Sequence, residues 1–122
     1  MSRTVSTADT AIAAGSGDLP VLATPLMIAL MEQAACDAID SYLPDGVTSV
    51  GTRVDVRHRA PSPIGLTVHA RATVTAVDGP RVSFAVNAWH DDGGVAIEIG
   101  DGTHVRALVD RESFVSGAGT AG

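Results

Sequence analysis

The segment Leu26-Met27-Ile28-Ala29-Leu30-Met31-Glu32-Gln33-Ala34-Ala35-Cys36-Asp37-Ala38-Ile39 constrains this chain more than any other. At about 100° per residue, the polar positions Gln33 and Asp37, with Asp40 and Ser41 just beyond, fall in one narrow sector. Apart from Glu32, the rest of the circumference is apolar. Such a helix must be wrapped by other structure rather than laid on a surface. Thr24-Pro25 opens it, with a hydroxyl able to cap free N–H groups and a proline suited to the first helical position. Leu43-Pro44-Asp45-Gly46 closes it after about Tyr42, because the residue before proline avoids helical geometry and Asp-Gly suits a turn.

What wraps it is β structure, since the period changes to two after the helix. Val50, Thr52, Val54, Val56 and His58 alternate with Arg53, Asp55, Arg57 and Arg59. A second run holds Leu66, Val68, Ala70, Ala72, Val74 and Ala76; Asp78-Gly79-Pro80 turns it into a third with Val82, Phe84, Val86, Ala88 and His90. Asp91-Asp92-Gly93-Gly94 makes the next hairpin. The last strand region, Val95 to Val109, is interrupted at Gly100-Asp101-Gly102, which predicts a bulge or kink. The fold class implied is α+β, an antiparallel sheet curled around one long central helix. One sheet covers only part of such a helix. Pairing two subunits edge to edge extends the sheet and removes an exposed strand, so a homodimer is the expected unit.

The 122 residues allow one core, assigned to 19–114. Residues 1–18 read as a flexible arm or edge strand, and 115–122 as a disordered tail. The only aromatics are Tyr42, Phe84, Trp89 and Phe114, the net charge is −6, and the eight basic residues are all Arg, only loosely grouped at Arg53, Arg57 and Arg59. Nucleic-acid binding needs a basic face and stacking platforms, so it is excluded as an expectation. The lone Cys36 leaves no internal disulfide and no zinc spacing. No metal and no cofactor is expected. Met1 to Gly17 lacks the apolar core of a secretory signal, and no stretch is long enough to span a bilayer. A soluble protein of the reducing cytoplasm fits best.

Three residues stand out chemically. Glu32 sits among Ile28, Ala29, Ala35 and Cys36, away from the polar sector, so its carboxylate should face inward and be hydrogen-bonded, paired or protonated. Thr24 is explained as a cap, yet the positive helix start beside it could also hold a carbonyl oxygen or anion. His58 ends its strand on the apolar face, where an imidazole is partly desolvated and is either a satisfied core histidine or a proton-transfer group. Thr24 and Glu32 lie eight residues apart, about 12 Å along one helix, so a site using both would draw them from two chains. His69, His104 and Arg106 are expected on solvated faces, and His90 at a rim. Cys36 reads as a small buried hydrophobe, and Asp91-Asp92 as a turn.

Taken together, Val21-Leu22-Ala23-Thr24-Pro25, Met31-Glu32-Gln33-Ala34-Ala35, Ser49 to His58, Ala60-Pro61-Ser62-Pro63-Ile64-Gly65 and Gly102-Thr103-His104-Val105-Arg106 resemble the hot-dog-fold thioesterases of the fluoroacetyl-CoA thioesterase type. The resemblance covers roughly residues 5–112. It implies a homodimer with sites at the subunit interface that hydrolyses an acyl-CoA thioester through a Thr, a Glu and a His, which map onto Thr24, Glu32 and His58. It also implies that Gly51 lets substrate or water pass close to the backbone. His58 would move protons, and Glu32 would be a nucleophile or a general base on water. Free N–H groups at the helix start would hold the oxyanion, and Arg57 and Arg59 are candidates for CoA phosphates. The resemblance implies that aromatic residues near the N-terminal lid shape the acyl pocket of the fluoroacetyl-specific enzymes; this chain has none before Tyr42, so fluoroacetyl selectivity is not expected, and the substrate class is a short or branched acyl-CoA or an acyl-carrier thioester. The alternatives are a non-catalytic dimer that binds acyl-CoA or another hydrophobic ligand, and a hot-dog acyl-CoA hydratase.

Overall fold

The computed structural model describes residues 1–120. Its helices are α1 (Ala11–Ala14), α2 (Thr24–Ile39) and α3 (Arg111–Thr120); its strands are β1 (Ser2–Thr4), β2 (Val47–His58), β3 (Thr67–Asp78), β4 (Arg81–Asp92) and β5 (Val95–Asp110). All strand pairs are antiparallel, in the order β1-β3-β4-β5-β2. The hairpins turn at Gly79 and at Gly93-Gly94, which have φ of 59°, 58° and 84°, conformations open to glycine at little steric cost. Residues 121–122 of the expected tail lie outside the described residues; α3 occupies the stretch before them.

The helix is wrapped as its pattern demands. Met27, Leu30, Met31, Ala34, Ala35 and Ile39 are buried against Val68, Ala70, Val82, Phe84, Val86, Ala88 and Ile99 of the sheet, while Gln33 and Asp37 are exposed. Each large apolar side chain so buried contributes roughly 1.5–3 kcal/mol. One flank stays partly open, with Ile28, Ala29, Glu32 and Cys36 only half covered. Beside it β2 forms a sheet edge on which residues 51 to 55 are exposed, Val54 by 40%.

Three local expectations change. Pairing skips a residue between Gly51 and Arg53, so a bulge at Thr52 reverses the facing of everything before it. Ser49 and Gly51, opposite Leu108 and Arg106, therefore share the inner face with Val54, Val56 and His58; Val50 and Thr52 do not. The helix cap is Ala23 rather than Thr24, and it makes no side-chain cap bond; Thr24 and Pro25 are the first two helical residues. The irregularity expected at Gly100–Gly102 falls one residue earlier, leaving Ile99 unpaired between Glu98 and Gly100, with its carbonyl accepting from Arg59 and Ala60. At Gly100 a Cβ would lie 2.6 Å from both Met27 Sδ and the Arg57 carbonyl, so β2 and α2 approach as they do only because it is glycine.

The N-terminal segment is tied down by Asp9, whose side chain is 2% exposed. Its carboxylate pairs with Arg3 at 2.7 Å and accepts from the Ser6 N–H and hydroxyl. The Arg3 bond chiefly, helped by Ser6 against the opposing effect of burial, lowers its pKa from 3.8 to about 2. A depressed carboxyl stabilises the fold above its unfolded pKa, and that stability disappears as pH falls through the folded value. With Arg3 half exposed, the gain is on the order of 1–2 kcal/mol. Denaturant titrations of wild type and Asp9→Asn should differ by that amount at neutral pH and converge as pH drops from about 4 to about 2; a gap constant with pH contradicts the ion pair.

Candidate active site

The end of β2 and the start of α2 meet at one residue from each. Thr24 Oγ1 and His58 Nδ1 lie 2.7 Å apart in a hydrogen bond. The hydroxyl expected to cap the helix is thus spent on the imidazole. His58 Nε2 is buried, and among the described residues it has no hydrogen-bond partner. Burial pushes the His58 pKa below its ordinary 6.5, a backbone hydrogen bond with Ala60 opposing it in part. An NMR titration of the His58 ring should therefore find a midpoint below 6.5, so that the ring is a free base at neutral pH; a midpoint above 6.5 contradicts this environment. Leu26 and Met27 N–H both bond to the Ala23 carbonyl, and proline has no N–H to give, so among the described residues the free donor at the helix start is the Thr24 N–H. The several donors expected there reduce to one.

This pair opens on a cleft of about 360 Å³ whose walls include Gly17, Leu19, Val21, Thr24, His58 and Arg59. Arg59 forms ion pairs with Glu98 and with Asp101, the latter at 3.3 Å. Arg57 faces away from His58 and lies among Asp55, Asp101 and Thr103 around a separate shallow pocket. Of the two expected phosphate contacts, only Arg59 borders the cleft.

Glu32 stands elsewhere. Its side chain is 38% exposed, and Oε2 accepts from Arg106 Nη1 at 3.1 Å with His104 Nε2 at 3.9 Å. The expected inward turn is partial, toward β5, and the partner is a cation from the same chain. Gly51 lies directly beneath: a Cβ there would come within 2.6 Å of Glu32 Oε2. The carboxylate borders a second opening of about 380 Å³ shared with Ala29, Cys36 and Arg106. Helix and strand run in opposite senses, so Thr24 meets His58 at one end and Glu32 meets Gly51 at the other. Among the described residues no hydrogen bond or ion pair joins the Thr24–His58 pair to Glu32.

His104 and Arg106 correct the expectation of solvated side chains. They are 1% and 6% exposed, and Arg106 also binds Ser49 through its hydroxyl and carbonyl. They do share one face of β5, but it is the inner one, opposite Gly51 and Val54. His90 is likewise buried rather than at a rim, bonded to Ser62 at 2.7 Å. His69 is half-buried, against Ser2 and the Trp89 ring. Among the described residues no group of three or more His, Cys, Asp or Glu side chains is placed to hold a metal ion, and no helix is long and apolar enough to cross a membrane.

The family model described as fluoroacetyl-CoA-specific thioesterase matches residues 5–112. The chain belongs to the fluoroacetyl-CoA-specific thioesterase family. It is 47% identical over 94 residues to the fluoroacetyl-CoA thioesterase of Streptantibioticus cattleyicolor, a match spanning 77% of this chain and 65% of that relative, just under two thirds of its length. A crystal structure of a variant of the fluoroacetyl-CoA-specific thioesterase FlK with fluoroacetate and CoA superposes with a TM-score of 0.88 at 35% identity, covering 99% of this chain and 96% of that one. A thioesterase superfamily member from Thermus thermophilus superposes at 0.85 with 25% identity, covering 95% and 83%. The sheet curled around α2 is therefore the hot-dog fold of this family, as the sequence blocks around Thr24, Glu32 and His58 implied.

Proposed function

We propose that this member of the family is an acyl-CoA thioesterase whose two active sites each combine Thr24 and His58 of one protomer with Glu32 of its partner. The observation that carries the reading is His58, whose Nδ1 is bound by Thr24 while its buried Nε2 is left for a substrate, a water or a partner group. Within one chain Glu32 is separated from that ring by two helical turns, so a complete site needs a second chain. The open edge of β2 and the half-covered flank of α2 support a homodimer joined there. A two-fold axis midway between Gly51 and His58 brings the Gly51 end of one strand beside the His58 end of the other.

In such a site the thioester carbonyl lies against the Thr24 N–H and hydroxyl, which stabilise the negative charge that develops on its oxygen. Glu32 takes a proton from the water that attacks the acyl carbon, or attacks that carbon itself to form a mixed anhydride that water then hydrolyses to release the acid and restore the carboxylate. On either route the carbon–sulfur bond breaks, its electron pair goes to sulfur, and His58 relays the proton that completes the CoA thiol. Water and thioester become carboxylic acid and thiol. Arg59, bordering the cleft, contacts CoA phosphates, with Arg57 further along the same edge. Short acyl groups, fluoroacetyl among them, are the substrates, on CoA or a carrier, and the cytoplasm is the compartment.

Thiol release from a panel of short acyl-CoAs tests the activity. Glu32→Gln and His58→Ala should each lower kcat by roughly a thousandfold at unchanged folding, and sedimentation should find a dimer. Binding without turnover would instead favour a ligand-binding dimer in which Glu32 is only the structural counter-ion of Arg106.

A further inference from the structure

We propose that His104 and Ser49 are positioning residues: they lock the Arg106 guanidinium so that one nitrogen holds the Glu32 carboxylate in its working place. The inference rests on the thioesterase reading of Glu32 and goes beyond it by naming what aims that group.

Arg106 is fixed at four points. Nε donates to Ser49 Oγ at 2.8 Å, one terminal nitrogen to the Ser49 carbonyl at 3.0 Å, and the other, Nη1, to both Glu32 Oε2 at 3.1 Å and His104 Nε2 at 3.2 Å. The His104 bond has a direction that chemistry dictates. Its Nδ1 lies 2.7 Å from the Arg53 carbonyl, which can only accept, so Nδ1 carries the hydrogen. Nε2 is left with a lone pair, which receives the Arg106 N–H. The ring stacks on Phe84 with centroids 6.0 Å apart, which holds its plane. Thr52 is left out of the pairing with β5, and the bulge it makes, by reversing the facing of the residues before it, puts Ser49 on the inner face, while the Arg53 carbonyl just after it accepts from His104.

A purely structural buried arginine would be matched by a buried carboxylate. Here the anion reached is 38% exposed and stands at the wall of an opening. Among the described residues Oε1 of Glu32 makes no hydrogen bond, so one oxygen is held while the other is left for chemistry. A guanidinium with three of its contacts spent on Ser49 and His104 cannot swing out to solvent, and the carboxylate it grips inherits that fixity. Displacing a reacting group by about 1 Å costs on the order of a hundredfold in rate.

The test is a kinetic cycle on the full-length protein. His104→Leu should lower kcat by roughly 10- to 100-fold and Ser49→Ala by roughly tenfold, both with KM little changed, while His104→Gln, which keeps an acceptor near Arg106, should recover most of the loss. In a Glu32→Gln background His104→Leu should have no further effect, because it acts through Glu32. Ser49→Ala and His104→Gln keep the test alive if His104→Leu fails to fold. Folded variants with wild-type kcat, or losses that multiply with that of Glu32→Gln, overturn the positioning role while leaving the thioesterase reading intact. A fully active Glu32→Gln protein overturns both.

Discussion

Mixing two inactive variants should restore about a quarter of wild-type turnover. Glu32→Gln retains Thr24 and His58, and His58→Ala retains Glu32, so neither homodimer holds a complete site. After subunit exchange about half of the dimers are mixed, and each mixed dimer contains one intact site and one doubly damaged site. Half of the dimers at half activity gives about a quarter overall. The two functional residues of α2 are eight positions apart, about 12 Å along the axis, and their neighbours in β2 are as widely separated, His58 beside Thr24 and Gly51 beside Glu32. If a single chain assembled the site, mixing would leave both proteins as inactive as they began. Thiol release after co-refolding, compared with an unexchanged mixture, decides between the two.

Much of this was legible because the relevant signals are local. The polar sector of α2 and the alternation in β4 follow from side-chain geometry along one element, and Val82, Phe84, Val86, Ala88 and His90 are all buried as their period implies; in β3 the expected alternation holds only as far as Ala72, since Val74 and Ala76 are exposed and the pairing with β4 shifts between them. The helix pattern marked Glu32 and the strand pattern marked His58. What could not be read were features set by a second element. A period of two reports which residues share a face, and it placed His104 with Arg106, but it does not say which face is inner. Their polarity argued for solvent, and the argument failed because Arg106 finds its partners 57 and 74 positions away, at Ser49 and Glu32. Gly100, on the same side of β5, was the available sign, since a Cβ there would meet Met27 of the wrapped helix. The bulge at Thr52 was invisible for a similar reason: it is a property of pairing with β5, and it alone moves Ser49 and Gly51 to the inner face. Thr24 was misread as a cap because the competing partner of its hydroxyl, the His58 ring, is 34 positions away.

Gly51→Ala should lower kcat on the order of a hundredfold while leaving the melting temperature nearly unchanged. The added Cβ would stand 2.6 Å from Glu32 Oε2, 3.3 Å from His104 Cε1 and 3.4 Å from Arg106 Nη1. Of these, the first separation is impossible, and it involves the tip of a flexible, 38% exposed side chain, so the carboxylate moves and the fold does not. The backbone has no objection either: Gly51 is not among the glycines with positive φ, and alanine in a strand loses less conformational freedom on folding than glycine does. Stability and activity should therefore separate, which distinguishes two explanations of the same glycine. A residue kept small only to permit the neighbouring bulge would show its loss in thermal unfolding, with turnover following the folded fraction. A residue kept small to leave room for Glu32 would show it in kcat at full folding. Gly51→Ser, larger by one oxygen, should be no better than alanine, and Glu32→Asp combined with Gly51→Ala, which withdraws the carboxylate by one methylene, should relieve the clash without returning the oxygen to the place Arg106 holds it. Wild-type turnover in a folded Gly51→Ala protein would mean that the position of this carboxylate does not matter to the reaction.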